Sequence, residues 1–186
     1  MSRPDLEQIT QAYMQADLLY SEAEVEQALQ RMAVEITNDL MDKNPVVFTV
    51  MNGGLVTGGK LLTKLVFPLE AGYLHATRYR NTTSGNDLEW KVGPSIDFQG
   101  RSVLIVDDIL DEGHTLAEIC DYCQQNGAIE VRVAVLVNKL HGRKARPNMT
   151  ADYVGLDVED RYLFGYGMDY QGYWRNAPGI FAIKGK

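Results

Sequence analysis

VLIVDDILDEGHT, residues 103–115, is the stretch on which the fold and the site of this chain both turn. Val103 to Val106 is a continuous apolar, β-branched run, the pattern of a parallel strand covered on both faces by helices. Asp107 and Asp108 are expected to end it abruptly, at the carboxyl edge of the sheet, where open α/β folds bind ligands. Strand alternation sends their side chains in opposite directions, which gives them different jobs. Asp111, Glu112, Gly113, His114 and Thr115 then make a turn feeding a helix that begins near Thr115. Backbone N–H groups left free at that helix start suit a phosphate.

Outward from this stretch, strands and helices alternate. Ser21 followed by Glu24 is a capping-box signal, and Val25, Ala28, Leu29, Met32, Ile36 and Leu40 recur at helical spacing up to the break at Asn44 and Pro45. Pro45 to Met51 (PVVFTVM) reads as a buried strand ending at Asn52, Gly53 and Gly54, with a helix from Leu55 to Leu65. Tyr73 to Tyr79 reads as a third strand, Arg80 to Asp87 (RNTTSGND) as a mobile polar loop, and Trp90 to Val92 as its returning strand. Gln99 and Gly100 turn the chain into the central strand, Gly127 stops the following helix, and Val131 to Val137 (VRVAVLV) is another buried strand. Residues 153 to 175, dense in Tyr, Gly and Asp, read as an irregular, ligand-facing lobe more than as another sheet unit. The pattern predicts one α/β domain over residues 1–186, built on a mostly parallel twisted sheet flanked by helices.

Composition narrows the function. With 25 acidic residues against 18 basic ones the net charge is -7, and the richest basic stretch, Lys139 to Arg146, is short, which argues against a nucleic-acid partner. No apolar run is long enough to span a membrane, and residues 1–20 lack the apolar segment of a signal peptide. Cys120 and Cys123 are the only cysteines, spaced CxxC. A zinc site wants a second pair and a redox pair usually opens a helix, so both are read as thiols on one face of a helix in a reducing cytoplasm.

Carboxylates at a strand end accept hydrogen bonds from sugar hydroxyls and hold Mg²⁺, while the adjoining turn holds phosphate, so a ribose phosphate suits both halves of the stretch. Two other readings use the same residues. One is a solvated acidic turn that merely caps a strand. The other is a receiver-type phosphoacceptor pocket, although a phosphoacceptor Asp is not expected to open a turn built for phosphate.

VLIVDDILDEGHT resembles the 5-phosphoribosyl 1-pyrophosphate (PRPP) fingerprint of the purine phosphoribosyltransferases: a hydrophobic strand, two acidic residues, two apolar residues, then Asp, a small turn and Thr. The likeness covers most of residues 20–183 and is greatest to the bacterial hypoxanthine-guanine enzymes. It implies a type I phosphoribosyltransferase sheet with a small irregular base-binding hood made from the N- and C-terminal segments. Asp107 and Asp108 would hold the ribose hydroxyls, directly or through Mg²⁺, and residues Asp111 to Thr115 the 5′-phosphate. Asp111 would be the catalytic acid/base near N7 of the purine. MNGG at 51–54 corresponds to the pyrophosphate loop, with a non-proline cis bond between Met51 and Asn52, and with Asn52 and Gly53 facing the leaving group. Arg78 and Tyr79 precede the flexible loop, which would exclude water from the ribosyl centre.

Lys139 falls where the family has a lysine that donates to the purine 6-oxygen. In RYLFGYGMDY, Tyr162 matches the aromatic that stacks on the base, Leu163 the residue whose backbone reads the base edge, and Asp169 a Mg²⁺-linked carboxylate. Arg175 matches a pyrophosphate-contacting arginine. Four positions depart from the usual pattern: Asn52 replaces a frequent basic residue, Arg78 a serine, Glu112 a threonine, and His114 a Lys, Arg or small residue. The resemblance implies transfer of the phosphoribosyl group from PRPP to hypoxanthine or guanine, giving IMP or GMP, in a Mg²⁺-dependent homodimer or homotetramer. A PRPP-sensing regulator of the same fold and a transferase preferring xanthine are the alternatives.

Overall fold

The computed structural model describes residues 5–78 and 88–185. Tyr79 and the loop expected over Arg80–Asp87 lie outside them, as does the side chain of Arg78. In chain order the elements are α1 (Leu6–Met14), β1 (Asp17–Ser21), α2 (Glu22–Leu40), β2 (Val46–Val50), α3 (Gly54–Leu62), β3 (Glu70–Arg78), β4 (Leu88–Val92), β5 (Ser102–Leu110), α4 (His114–Gln125), β6 (Glu130–Leu140), β7 (Tyr153–Glu159), β8 (Leu163–Phe164) and β9 (Gly179–Ala182). Six strands form the main sheet in the order β4-β3-β2-β5-β6-β7, and β1-β9-β8 form a second, antiparallel sheet. Only the β3–β4 edge of the main sheet is antiparallel.

β5 lies at the centre because its apolar run serves both faces. Leu104 and Val106 join the core that α2 and α3 cover, while Val103 and Ile105 join the core under α4. Past the apolar run Asp107 and Asp108 do not part to opposite faces as the sequence suggested; their carboxyl groups are hydrogen-bonding neighbours. The strand does not end at Asp107 as the sequence suggested. It runs to Leu110, because β6 keeps pairing with it as far as Leu110↔Asn138, whereas β2 stops pairing at Thr49↔Val106.

One further expectation is corrected. Residues 153–159, assigned to the irregular lobe, form β7, a parallel edge strand in register with β6 from Ala134↔Tyr153 to Leu140↔Glu159. Alternation shows only at its start, where Tyr153 and Gly155 are buried and Val154 is not, and the surrounding Tyr, Gly and Asp obscured it. Residues 6–21, which gave no clear signal, form α1 and β1, and β1 finds its partner in β9 more than 150 residues away. Such pairing leaves no local trace in a sequence.

α2 begins where the capping box placed it. The Ser21 hydroxyl accepts from the Glu24 N–H, and the Glu24 carboxylate accepts from the Ser21 N–H at 2.8 Å. Val25, Leu29, Met32, Ile36 and Leu40 are fully buried, each contributing about 1.5–3 kcal/mol. Cys120 and Cys123 sit on α4 as free thiols, and burial pushes them up to about 12 and about 11. Neither is a thiolate near neutral pH, in keeping with the packing role read from the sequence.

Among the described residues the Ser21 side chain bonds only within the cap, to Glu24, so Ser21→Ala isolates the cap. It should lower stability by about 1 kcal/mol, or roughly 2–4 °C in Tm, with turnover unchanged; thermal unfolding followed by circular dichroism checks this.

Candidate active site

Because β5 outruns β2, a crevice opens at the carboxyl end of the sheet. β2 leaves it through a cis peptide bond between Met51 and Asn52, and α3 starts at once at Gly54. Asp108 packs against this turn so closely that a Cβ on Gly53 would lie 2.6 Å from its carboxyl carbon. From the other side comes Gly167, at φ 111°, whose Cβ would lie 3.1 Å from the Gly53 carbonyl carbon. Only glycines allow the three segments to meet. Asp108 is 7% exposed, and its N–H donates to Oδ1 of Asp107 at 2.9 Å. Burial raises both carboxyls above their ordinary value; the charge of Asp108 adds to this for Asp107, while Arg175 draws both back down.

The turn after β5 is held by the segment after β6. Lys139 Nζ donates to Oδ2 of Asp111 at 3.1 Å, and the His141 ring meets Oδ1 at 2.7 Å. Burial acts to raise the Asp111 carboxyl, but these two bonds outweigh it and hold the group below its ordinary value. Lys144 Nζ donates to the main-chain oxygens of Leu110, Asp111 and Lys139, each at 2.8 Å, and so fastens the acidic turn to the lysine opposite. Glu112 and His114, the two departures in the fingerprint, face each other at 3.4 Å. Gly113 caps α4 in the left-handed conformation without a side-chain cap, so the first-turn N–H groups stay open to a ligand.

Two clefts share Asp108, Ile109 and Asp111. One, about 490 Å³, is lined by Asp107 and the run from Glu112 to Thr115. The other, about 280 Å³, is lined by Lys139, Tyr162, Leu163, Met168 and Asp169. Tyr162 is 43% exposed at its rim, in edge-to-face contact with Tyr170, and Leu163 is buried in β8. Asp169 accepts from the Gly172 N–H at 2.7 Å and from Arg175 at 2.5 Å, and Arg175 also donates to the Gly167 carbonyl at 2.6 Å. Arg175 thus braces the turn that covers Asn52 and Gly53. Of the residues singled out from the sequence, Arg78 contributes its backbone to the end of β3 and Tyr79 lies outside the described residues.

His141, Lys144 and Asp160 were missed. Asp160 accepts from Lys139 at 3.2 Å and from Arg143 at 2.7 Å. The signal for the two basic residues was present in Lys139 to Arg146, the richest basic stretch of an acidic chain, which is the complement of the acidic run it fastens. Among the described residues, Asp111, His141 and Asp160 bring donor atoms within 4.8 Å of one another, but the Lys139 ammonium already lies between the two carboxylates as a fixed cation.

A carboxyl raised by folding costs stability at neutral pH and ceases to do so below its unfolded value, because there it is protonated in both states. Asp108→Asn should therefore raise Tm at pH 7 in the absence of divalent cation. The gain over wild type should shrink as pH falls and vanish near 3.8; a gain independent of pH would contradict burial of the charge.

Residues 15–171 match the phosphoribosyl transferase domain family. The chain is 34% identical over 179 residues to a hypoxanthine-guanine-xanthine phosphoribosyltransferase of Tritrichomonas foetus, covering 95% of this chain and 97% of that one. It is 31% identical to a hypoxanthine-guanine phosphoribosyltransferase of Bacillus subtilis, covering 90% and 92%. A solved hypoxanthine phosphoribosyltransferase from Staphylococcus aureus superposes with a TM-score of 0.84 at 25% identity, over 90% of this chain and 91% of that one. The acidic strand end, the glycine turn beside it and the open helix start thus lie within a matched region that spans most of the chain, and the protein belongs to the phosphoribosyltransferase family.

Proposed function

We propose that this protein transfers the 5-phosphoribosyl group of PRPP to N9 of hypoxanthine or guanine, releasing pyrophosphate and forming IMP or GMP for purine salvage. The observation that carries this reading is the pair of clefts meeting at Asp108, Ile109 and Asp111. A ribose phosphate in the larger one and a base in the smaller one would bring C1′ and N9 together across the shared wall, which is the arrangement a glycosyl transfer needs.

In this reading the N–H groups of Gly113, His114 and Thr115 and the Thr115 hydroxyl hold the 5′-phosphate, with the Glu112 carboxylate facing His114. Asp107 and Asp108 hold the ribose hydroxyls. Asn52 and Gly53 offer backbone N–H groups to pyrophosphate, with Arg175 beside them. Lys139 donates to the 6-oxygen of the base, Tyr162 stacks on its ring, and the Leu163 backbone reads its edge. Asp111 takes the proton from N7, which makes N9 the better nucleophile.

Mg²⁺ fits the donor set. Asp107 and Asp108 offer hard oxygen ligands, and among the described residues no lysine or arginine lies within salt-bridge distance of either. Asp169, held by Arg175 and the Gly172 N–H, is the third carboxylate of the set. When bound, the ion supplies positive charge to phosphate oxygens that an acidic protein would otherwise repel. No helix of the described residues is long and apolar enough to cross a membrane, and the reading places the enzyme in the cytoplasm as a homodimer or homotetramer. Xanthine is a second acceptor to test, since the Tritrichomonas foetus relative is named for it.

Turnover with PRPP, Mg²⁺ and each of hypoxanthine, guanine, xanthine and adenine tests the proposal. Nucleotide should form with the first two and not with adenine. PRPP binding without turnover of any base would instead make the protein a sensor. Asp111→Ala should lower kcat by about 10²- to 10⁴-fold while PRPP affinity changes little; equal loss of both would contradict its acid/base role.

A further inference from the structure

His141 belongs to none of the roles above, yet it is among the best-buried polar side chains near the site, 4% exposed. Its tautomer follows from its neighbours. Nδ1 accepts the Arg143 N–H at 3.1 Å, so the ring proton sits on Nε2, which then donates to Oδ1 of Asp111 at 2.7 Å. Lys144 fixes the Asp111 main chain but touches neither carboxylate oxygen, and Asp111 is 44% exposed at its side chain. Without His141 only Lys139 would set the plane of that carboxylate, and Lys139 also lines the cleft assigned to the base.

We propose that His141 is a positioning residue for proton transfer: its Nε2–H pins Oδ1 of Asp111, leaving Oδ2, on the Lys139 side, as the one oxygen that receives the purine N7 proton. The inference deepens the transferase reading and rests on it. In the step, the N9 lone pair forms the bond to C1′ and the C1′–O bond breaks, its electron pair leaving with pyrophosphate. The N7–H bond breaks with its pair kept in the ring, and the proton goes to Oδ2. A 6-oxygen in the cleft competes with Oδ2 for the Lys139 ammonium. As Lys139 shifts toward the base, its hold on Oδ2 weakens and that oxygen gains proton affinity. His141 keeps the carboxylate from turning while this happens. The other charges facing the pair are Asp160 and Arg143, joined to each other, the Lys144 ammonium, and Glu112 on the same turn.

His141→Leu removes the donor, and His141→Gln restores an N–H near the same place. In His141→Leu, kcat with hypoxanthine should fall by about 10- to 100-fold, with KM for PRPP within about threefold. The acid limb of kcat/KM should move to higher pH, because Asp111 loses a bond that favours its charged form. His141→Gln, folded to a similar Tm, should recover most of the rate. A wild-type rate and acid limb in His141→Leu, or a His141→Gln variant as impaired as His141→Leu, would overturn the proposal. A ¹³C NMR titration of the Asp111 carboxyl in substrate-free protein needs no turnover: its midpoint should rise in His141→Leu and not in His141→Gln. An unmoved midpoint overturns the His141 role whatever the activity. A moved midpoint in a protein whose wild type turns over no base overturns the transferase reading and leaves the hydrogen bond standing.

Discussion

Two carboxyl groups on consecutive residues of a buried strand resist ionising because of the loss of water and, for Asp107, the neighbouring charge, and Asp107 and Asp108 occupy that position because of a mismatch in strand length. β6 continues to bond β5 as far as Leu110, while β2 turns away after Val50. The four residues from Asp107 to Leu110 therefore have a partner on one side and a crevice on the other. Every other part of the site is arranged around that gap. The Met51–Gly54 turn fills its near wall, Gly167 closes on the turn from above, and Arg175 ties Gly167 to Asp169. The carboxyls are raised rather than neutralised by side-chain cations, which suits a place that awaits an outside cation or hydroxyl groups.

Charge complementarity orders the second half of the site. The acidic run from Asp107 to Glu112 meets the basic stretch from Lys139 to Arg146, and Lys144 joins them through main-chain oxygens rather than carboxylates. Its own charge is disfavoured by burial, so the bonds it makes are what keep it there. Lys144 thus sets the distance between Asp111 and Lys139 without competing for the carboxylate. The side chain of Asp111 is left to Lys139 and His141, one lining the smaller cleft and one buried in the protein.

The fold was legible where a segment's neighbours in sequence are also its neighbours in space. The Ser21–Glu24 box, the apolar runs of β2, β5 and β6, and the stop at Gly127 all state their structure locally. β7 was not legible because its alternating residues sit in a stretch dominated by Tyr, Gly and Asp, and β1 was not because its pairing with β9 is remote in sequence. At the site, the fingerprint around Asp107 to Thr115 and the run from Tyr162 to Asp169 carried their own pattern. His141 and Lys144 did not, since a histidine and a lysine in a basic loop look solvated until the acidic turn is folded against them. The departures at Glu112 and His114, two separate positions in the sequence, face each other at 3.4 Å.

The proposed function makes the open end of β5 a cation-assisted site for a ribose pyrophosphate. Calorimetric titration of PRPP at neutral pH, with Mg²⁺ and with chelator, into wild type and into Asp107→Asn/Asp108→Asn, tests it most directly. Wild type should bind PRPP at least about tenfold more tightly with Mg²⁺ than without, and the double variant should lose both the affinity and its dependence on the ion. PRPP binding that is unchanged by the double substitution and indifferent to Mg²⁺ would contradict it.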